Sequence, residues 1–311
     1  MIICRLLIVV CLGFSFCWAE ESPLFKQGDR VVFIGDSNTY AAHYVNYIEA
    51  AMAVHRPDLE LEILNVGLPS ETASGLSEPA HPFPRPCVHE RLERVLQKTE
   101  PDVVIAAYGM NDGMYYPPSA ERFTAYREGM TSLIKKVHDS GAKLILLTPP
   151  PFDPKPMAKK GVLLPADAAE FSWKAIYEDY DSVLAEFSDW LTGLNDERVE
   201  LVIDVRTPMV DYTTQKRRSD PDFVMSGDGV HFDEEGHRII ADRLLSQWKI
   251  ESEKAVPAEL EKLVAKRQVI LRDAWLTHCG HKRPGTRAGL PLKEAQSKAA
   301  AIQREIDQLL P

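Results

Sequence analysis

The sequence predicts an α/β fold: a three-layer α/β/α sandwich on a five-stranded parallel sheet, followed by a C-terminal helical extension. Five short apolar runs alternate with stretches of helical periodicity, the rhythm of a parallel sheet whose crossovers are helices. The runs Val103-Val104-Ile105-Ala106 and Leu144-Ile145-Leu146-Leu147 are apolar without interruption, as strands buried on both faces are. The last sixty residues leave this rhythm and carry two amphipathic patterns instead.

Residues 1–19 read as a secretory signal. Arg5 gives a positive start, Leu6 to Phe16 is apolar, and Cys17-Trp18-Ala19 offers a cleavage site before Glu20-Glu21. The run is too short and too poorly flanked to span a bilayer. Phe16 stands where a lipid-attachment signal would need a small residue, which speaks against modification of Cys17. No later stretch is long and apolar enough to cross a membrane, so a secreted or periplasmic chain is expected.

The predicted strands are Arg30–Ile34, Leu59–Asn65, Asp102–Ala107, Lys143–Thr148 and Glu200–Asp204. Between them, Tyr40–His55 has apolar positions at Val45, Ile48 and Met52. Ser119–Ser140 repeats Phe123, Tyr126, Met130, Leu133, Ile134 and Val137 three or four apart, with Gly141 to stop it. Asp233 is placed to cap a helix running to Trp248. Glu78–Pro86 holds four prolines in nine residues and must be a loop, and Pro149–Pro165 is similar. Both follow strands at the same sheet edge. They either wall a cleft there or are plain surface loops. In the tail, Leu260 to Trp275 and Leu292 to Leu309 mark two helices joined through His278-Cys279-Gly280-His281, and this extension is expected to pack on the body or on a second copy. The joining loop reads as a basic connection, with metal binding or contact to an anionic substrate as alternatives.

A formal charge of −10 argues against a nucleic-acid partner. Of five cysteines, Cys4, Cys11 and Cys17 lie in the signal, which leaves Cys87 and Cys279, paired or as two buried thiols. Nothing in the sequence asks for a cofactor or a metal. Gly-x-Ser-x-Gly is absent, no glycine-rich phosphate loop appears, and His89-Glu90 is followed at 93 by Glu93 rather than the second histidine of a zinc-protease helix.

The chemistry gathers at the carboxyl ends of the strands, where open α/β sheets bind ligands. Ser37 follows the first strand, Gly67 the second and Asn111 the third, while Asp228 and His231 lie beyond the fifth. Taken singly each has a plain reading: Ser37 as a helix cap, the glycines as turn residues, Asp228-x-x-His231 as coincidence. Together they bring a nucleophile, a base and oxyanion donors to one edge, the set that acyl transfer needs.

These blocks resemble the SGNH hydrolases, the GDSL esterase/lipase family. The serine falls in Gly35-Asp36-Ser37-Asn38, the glycine in Asn65-Val66-Gly67, the asparagine in Gly109-Met110-Asn111-Asp112 and the histidine in Asp228-Gly229-Val230-His231. The resemblance covers about Arg30 to Trp248 and implies a hydrolase domain over 20–249, an extension over 250–311, and the flavodoxin-like strand order 2-1-3-4-5. It implies that Ser37 attacks an ester carbonyl, that His231 moves the proton, and that Asp228 orients His231. The oxyanion would be held by the N–H groups of Ser37 and Gly67 and by the Asn111 amide. Glycine at 67 is expected because no side chain then blocks the carbonyl's approach. Asp36 and Asp112 are expected to hold their own loops by accepting backbone N–H bonds.

The chain departs from the family at Asn38, where leucine or isoleucine is usual, and at Pro69-Ser70. Both departures are expected on the cleft wall, where they bear on substrate rather than chemistry. Tyr115 and Tyr116 either stack on a sugar ring or serve packing. The expected function is a secreted serine esterase that removes acetyl groups from carbohydrate through an acyl-enzyme. The alternatives are a lysophospholipase-like or thioesterase-like lipid esterase and a catalytically silent carbohydrate-binding or structural domain. Activity should fall as His231 protonates below about pH 6, from an ordinary pKa of about 6.5.

Overall fold

A computed structural model describes residues 23–250 and 254–310. The expected signal, 1–19, lies outside them. Five strands form the central sheet: β1 (Arg30–Gly35), β2 (Glu62–Asn65), β3 (Val103–Ala107), β4 (Lys143–Leu147) and β5 (Leu201–Ile203). All neighbours pair in parallel, and the order across the sheet is β2-β1-β3-β4-β5, as the resemblance implied.

Alternation within each strand makes the sandwich. Val32, Ile34, Val104, Ala106, Leu144 and Leu146 enter one core, while Val31, Phe33, Val103, Ile105, Ile145 and Leu147 enter the other. A strand that must feed two cores has no position for a polar residue, which is why these runs are apolar throughout. Helices α3 (Leu92–Thr99), α4 (Ala120–Asp139) and α5 (Tyr180–Thr192) cover the first face. The second face is covered by α2 (His43–His55), α6 (Arg206–Ser219) and α7 (Glu234–Gln247).

Caps fix several helix starts. Ser119 accepts from Arg122 N–H at 3.3 Å and Asp233 from Gly236 N–H at 3.0 Å. The expected helix Tyr40–His55 is instead two. A short α1 (Ser37–Ala41) ends at Ala42, which takes a left-handed φ of 71° before α2 begins. Apolar periodicity starts only at Val45, so it does not register this break. Leu59, expected in the second strand, closes a 3-10 turn at 57–59.

The C-terminal helices α8 (Ala258–Cys279) and α9 (Leu292–Asp307) pack on the body. Leu260, Val264, Ile302 and Ile306 form a small core with Ala50 and Val54 of α2, while Trp275, Leu276 and Cys279 join the main core. Gln268 donates to the Ile63 carbonyl at 2.9 Å and so satisfies part of the free edge of β2. Arg272 donates to the Tyr40 carbonyl at 2.7 Å, at the end of α1. Cys87 and Cys279 are both free thiols.

Candidate active site

The turn after β1 sets the first group. Asp36, rather than Ser37, is the N-cap of α1: its carboxylate accepts from Asn38 N–H at 3.0 Å. Ser37 is therefore the first helical residue, where a backbone N–H has no intrahelical acceptor. Burial pushes the Asp36 carboxyl up to about 6 against that hydrogen bond.

His231 Nε2 lies 2.8 Å from Ser37 Oγ, and His231 Nδ1 lies 2.7 Å from Asp228 Oδ2. A carboxylate only accepts, so Nδ1 carries the proton and Nε2 presents its lone pair to the serine hydroxyl. Asp228 Oδ1 accepts from Val230 N–H at 2.9 Å, His231 N–H at 2.8 Å and the Ser226 hydroxyl at 3.0 Å. Burial acts to raise this carboxyl, but the bonds from the His231 side chain and backbone outweigh it and hold it well below the usual range. The bond that His231 donates to Asp228 in turn raises the His231 pKa, against partial burial. The His231 imidazole therefore protonates above its ordinary value of about 6.5, so an acid limit set by it would lie higher than the expected pH of about 6. Gly229 makes the tight turn between the pair: its φ is +78°, and a Cβ there would stand 2.3 Å from the Asp153 carbonyl oxygen.

Asn111 is buried at the end of the third strand's loop. Its Oδ1 accepts from Arg85 Nη1 at 2.9 Å and from the Tyr115 hydroxyl at 3.1 Å. Its Nδ2 donates to the Glu71 carbonyl at 3.2 Å, and a second N–H remains. Two donors on the oxygen fix which way the amide faces. Arg85 comes from the proline-rich loop 78–86, and its guanidinium is clasped by Glu78 through two bonds of 2.6 Å, both side chains buried. Sequence reading missed Arg85. Its one signal is an arginine set between prolines, and that does not reveal burial.

Gly67 is close-packed for a reason other than the one expected. A Cβ would stand 2.6 Å from Tyr40 N and 2.8 Å from Thr39 Cβ, so the glycine lets α1 lie against the β2 turn. Its N–H donates to Asn65 Oδ1 at 2.9 Å, and Asn65 Nδ2 reaches the Thr39 carbonyl at 2.6 Å. That N–H is therefore already engaged by Asn65.

Asn38 is not on the cleft wall. It is buried, donates to the Val230 carbonyl at 3.0 Å and accepts from Phe232 N–H at 3.4 Å, which ties the Ser37 turn to the His231 loop. Leucine can make neither bond. Asp112 Oδ1 accepts from the N–H groups of Ala73 and Ser74 at 2.9 and 2.7 Å, a loop-holding role, and burial pushes its carboxyl up to about 6. Tyr115 is buried against Tyr180, and Tyr116 lies under the Arg122 guanidinium. The carbonyls of His278 and Cys279 accept from Lys98 and Arg94, and Arg283 donates to the Pro69 carbonyl at 2.7 Å.

A cavity of about 440 Å³ opens beside His231, lined among others by Tyr115, Met157, Lys160, Trp173 and Lys174. Met157 and Lys160 belong to the Pro149–Pro165 loop, which therefore does wall the cleft. Trp173 is 40 % exposed, one of few large apolar side chains so open to solvent among the described residues. Among the described residues, no helix is long and apolar enough to cross a membrane.

No curated protein matches the chain in sequence. Solved structures share its fold. A gut microbial diltiazem-metabolizing enzyme superposes with a TM-score of 0.58 at 19% identity, over 75% of this chain and 49% of that one, so the chain spans about half its length. An alpha/beta hydrolase from the metagenome of Lake Arreo, Spain, gives 0.50 at 19% identity, over 73% of this chain and 99% of that one. A catalytic mutant of an acetylxylan esterase from Geobacillus stearothermophilus gives 0.50 at 18%, over 74% and 99%. The model of the GDSL-like Lipase/Acylhydrolase family matches residues 33–239, more than half of the chain. Family match and site geometry agree: the chain belongs to the GDSL-like lipase/acylhydrolase family and is a carboxylic ester hydrolase.

Proposed function

We propose that the protein is an exported O-acetyl esterase acting on carbohydrate, with Ser37 as nucleophile. The observation that carries this is the unbroken chain Ser37 Oγ, His231 and Asp228, with contacts of 2.8 and 2.7 Å. Ser37 Oγ attacks the acetyl carbonyl as its proton passes to His231 Nε2. The oxyanion is met by the Ser37 N–H, the second N–H of Asn111 Nδ2 and the shared N–H of Gly67. His231 then gives the proton to the departing sugar hydroxyl, and water repeats the sequence on the acetyl-serine.

The short acyl group is supported by the crowding of Asn111 between Arg85, Tyr115 and the Glu71 carbonyl. Carbohydrate is supported by the open Trp173 ring on the side where the alcohol leaves, and it agrees with the likeness to an acetylxylan esterase. Export rests on the amino-terminal pattern, and sequencing the chain recovered outside an exporting host should give Glu20 as its first residue. 4-Nitrophenyl esters of rising acyl length test the acyl preference. Activity should peak at acetyl and vanish in Ser37→Ala. A preference for eight carbons or more would favour the lipid-esterase reading, and an active Ser37→Ala would overturn the mechanism.

A further inference from the structure

On the acetyl-esterase reading, the cavity beside His231 takes the alcohol half of the substrate. His231 Nε2 is the group that protonates the leaving oxygen, so what leaves must occupy the space that begins at its ring. The oxyanion donors, by contrast, come from the ends of β1, β2 and β3.

Two lysines, Lys160 and Lys174, line this space. Lys160 Nζ donates to the Gly227 carbonyl at 2.8 Å, one residue before Asp228, and two of its three N–H groups remain. Lys174 Nζ rests 4.7 Å from the centroid of the Trp173 ring. Among the described residues, the only carboxylate lining the cavity is Asp228, whose two oxygens are already engaged by His231, Val230 and Ser226. The chain as a whole carries a formal charge of −10, so a cationic patch beside the nucleophile runs against its average. A neutral sugar has no use for two lysines, whereas an anionic one needs them to approach an acidic protein.

We propose that the substrate is an acetylated anionic sugar, bearing a carboxylate or a sulfate, whose ring lies on Trp173 and whose anion sits between Lys160 and Lys174. This rests on the acetyl-esterase reading and specifies its substrate class. A sugar ring on Trp173 displaces Lys174 from the ring face and frees its ammonium for the anion.

The test compares kcat/KM on three acetylated oligosaccharides: a galacturonate oligomer, a sulfated galactose oligomer and a neutral xylose oligomer. At low salt the parent should prefer one acidic substrate over the neutral one by about tenfold, the scale of two solvent-exposed ion pairs. At 1 M salt, where screening shortens to about 3 Å, the preference should collapse. Which acidic substrate wins identifies the anion. In Lys160→Gln/Lys174→Gln the acidic-to-neutral ratio should approach one, while Trp173→Ala should raise KM for all three. Equal or better turnover of the neutral oligomer at low salt, or a preference that survives in the double variant, overturns the proposal. Hydrolysis of 4-nitrophenyl acetate by the parent is read separately. Its absence would sink the esterase reading itself, and its presence without acidic preference sinks only this one.

Discussion

Replacing Arg85 by methionine tests whether the Asn111 amide is held for catalysis by a buried cation. Arg85 and Glu78 are 2% and 0% exposed, and Glu78 would be left buried without its partner. Breaking such a buried pair costs about 3–5 kcal/mol, a large share of an ordinary stability of about 5–15 kcal/mol. At about 2–4 °C per kcal/mol, Tm should fall by roughly 10 °C, and by less where the 78–86 loop opens locally. The effect on rate has another origin. Asn111 Oδ1 loses a charge-assisted bond of 2.9 Å and keeps only the Tyr115 hydroxyl at 3.1 Å. A hydrogen bond to a charged group is worth about 1.5–3 kcal/mol, so kcat should fall about ten- to a hundredfold. KM for 4-nitrophenyl acetate should hardly move, because the oxyanion exists only in the transition state. Glu78→Met added to Arg85→Met removes the stranded carboxyl and should restore much of the Tm without restoring kcat. The assay is thus a melt and a kcat–KM pair on both variants. A double variant with kcat within twofold of the parent would refute the reasoning, since Asn111 would then be oriented without the guanidinium.

Three other outcomes follow from the site. The imidazole must be neutral to accept the Ser37 proton, and Asp228 raises its pKa, so activity should climb with pH through a midpoint above 6.5. Asp228→Asn removes that cause, should move the midpoint down and lower kcat by up to about 10⁴-fold, and an unmoved pH profile would count against it. Gly67→Ala drives a Cβ to within 2.6 Å of Tyr40 N, so it should cost about 1–3 kcal/mol in a melt and displace Ser37, lowering kcat; a fully stable, fully active variant contradicts the packing argument. Asn38→Leu, which restores the residue usual in the family, should lower stability by about 1–3 kcal/mol by leaving the Val230 carbonyl unpaired, and a gain in Tm would show the clasp to be dispensable.

The sheet was legible because its signal is local. Each strand needs apolar residues on both faces, and Val103–Ala107 and Lys143–Leu147 state this within five letters. Parallel order then sends Ser37, Gly67, Asn111 and the Asp228–His231 loop to one edge, so these candidate residues could be gathered without knowing any side-chain conformation. What stayed hidden depends on contacts between distant segments. Arg85 meets Asn111 across 26 positions, and Asn38 meets Val230 across 192, and neither pairing has a periodicity to betray it. At Gly67 the structure adds a second reason for glycine, the close approach of α1: a glycine in a motif announces close approach, but not whether substrate or backbone does the approaching. The break at Ala42 was missed because an alanine in a left-handed conformation looks in sequence like any helical alanine.

The Asn38 amide has one more consequence. It joins the serine's turn to the histidine's loop through main-chain atoms, independently of the hydroxyl–imidazole bond. The Ser37 and His231 segments are thus registered by a strut separate from their own contact. Removing the Ser37 hydroxyl should therefore leave the imidazole where it stands, with an intact ester free to settle between it and Asn111. The inactive alanine variant is for that reason a ready-made trap, in which the natural ester can be captured unhydrolysed and identified by the shape it takes in the cleft.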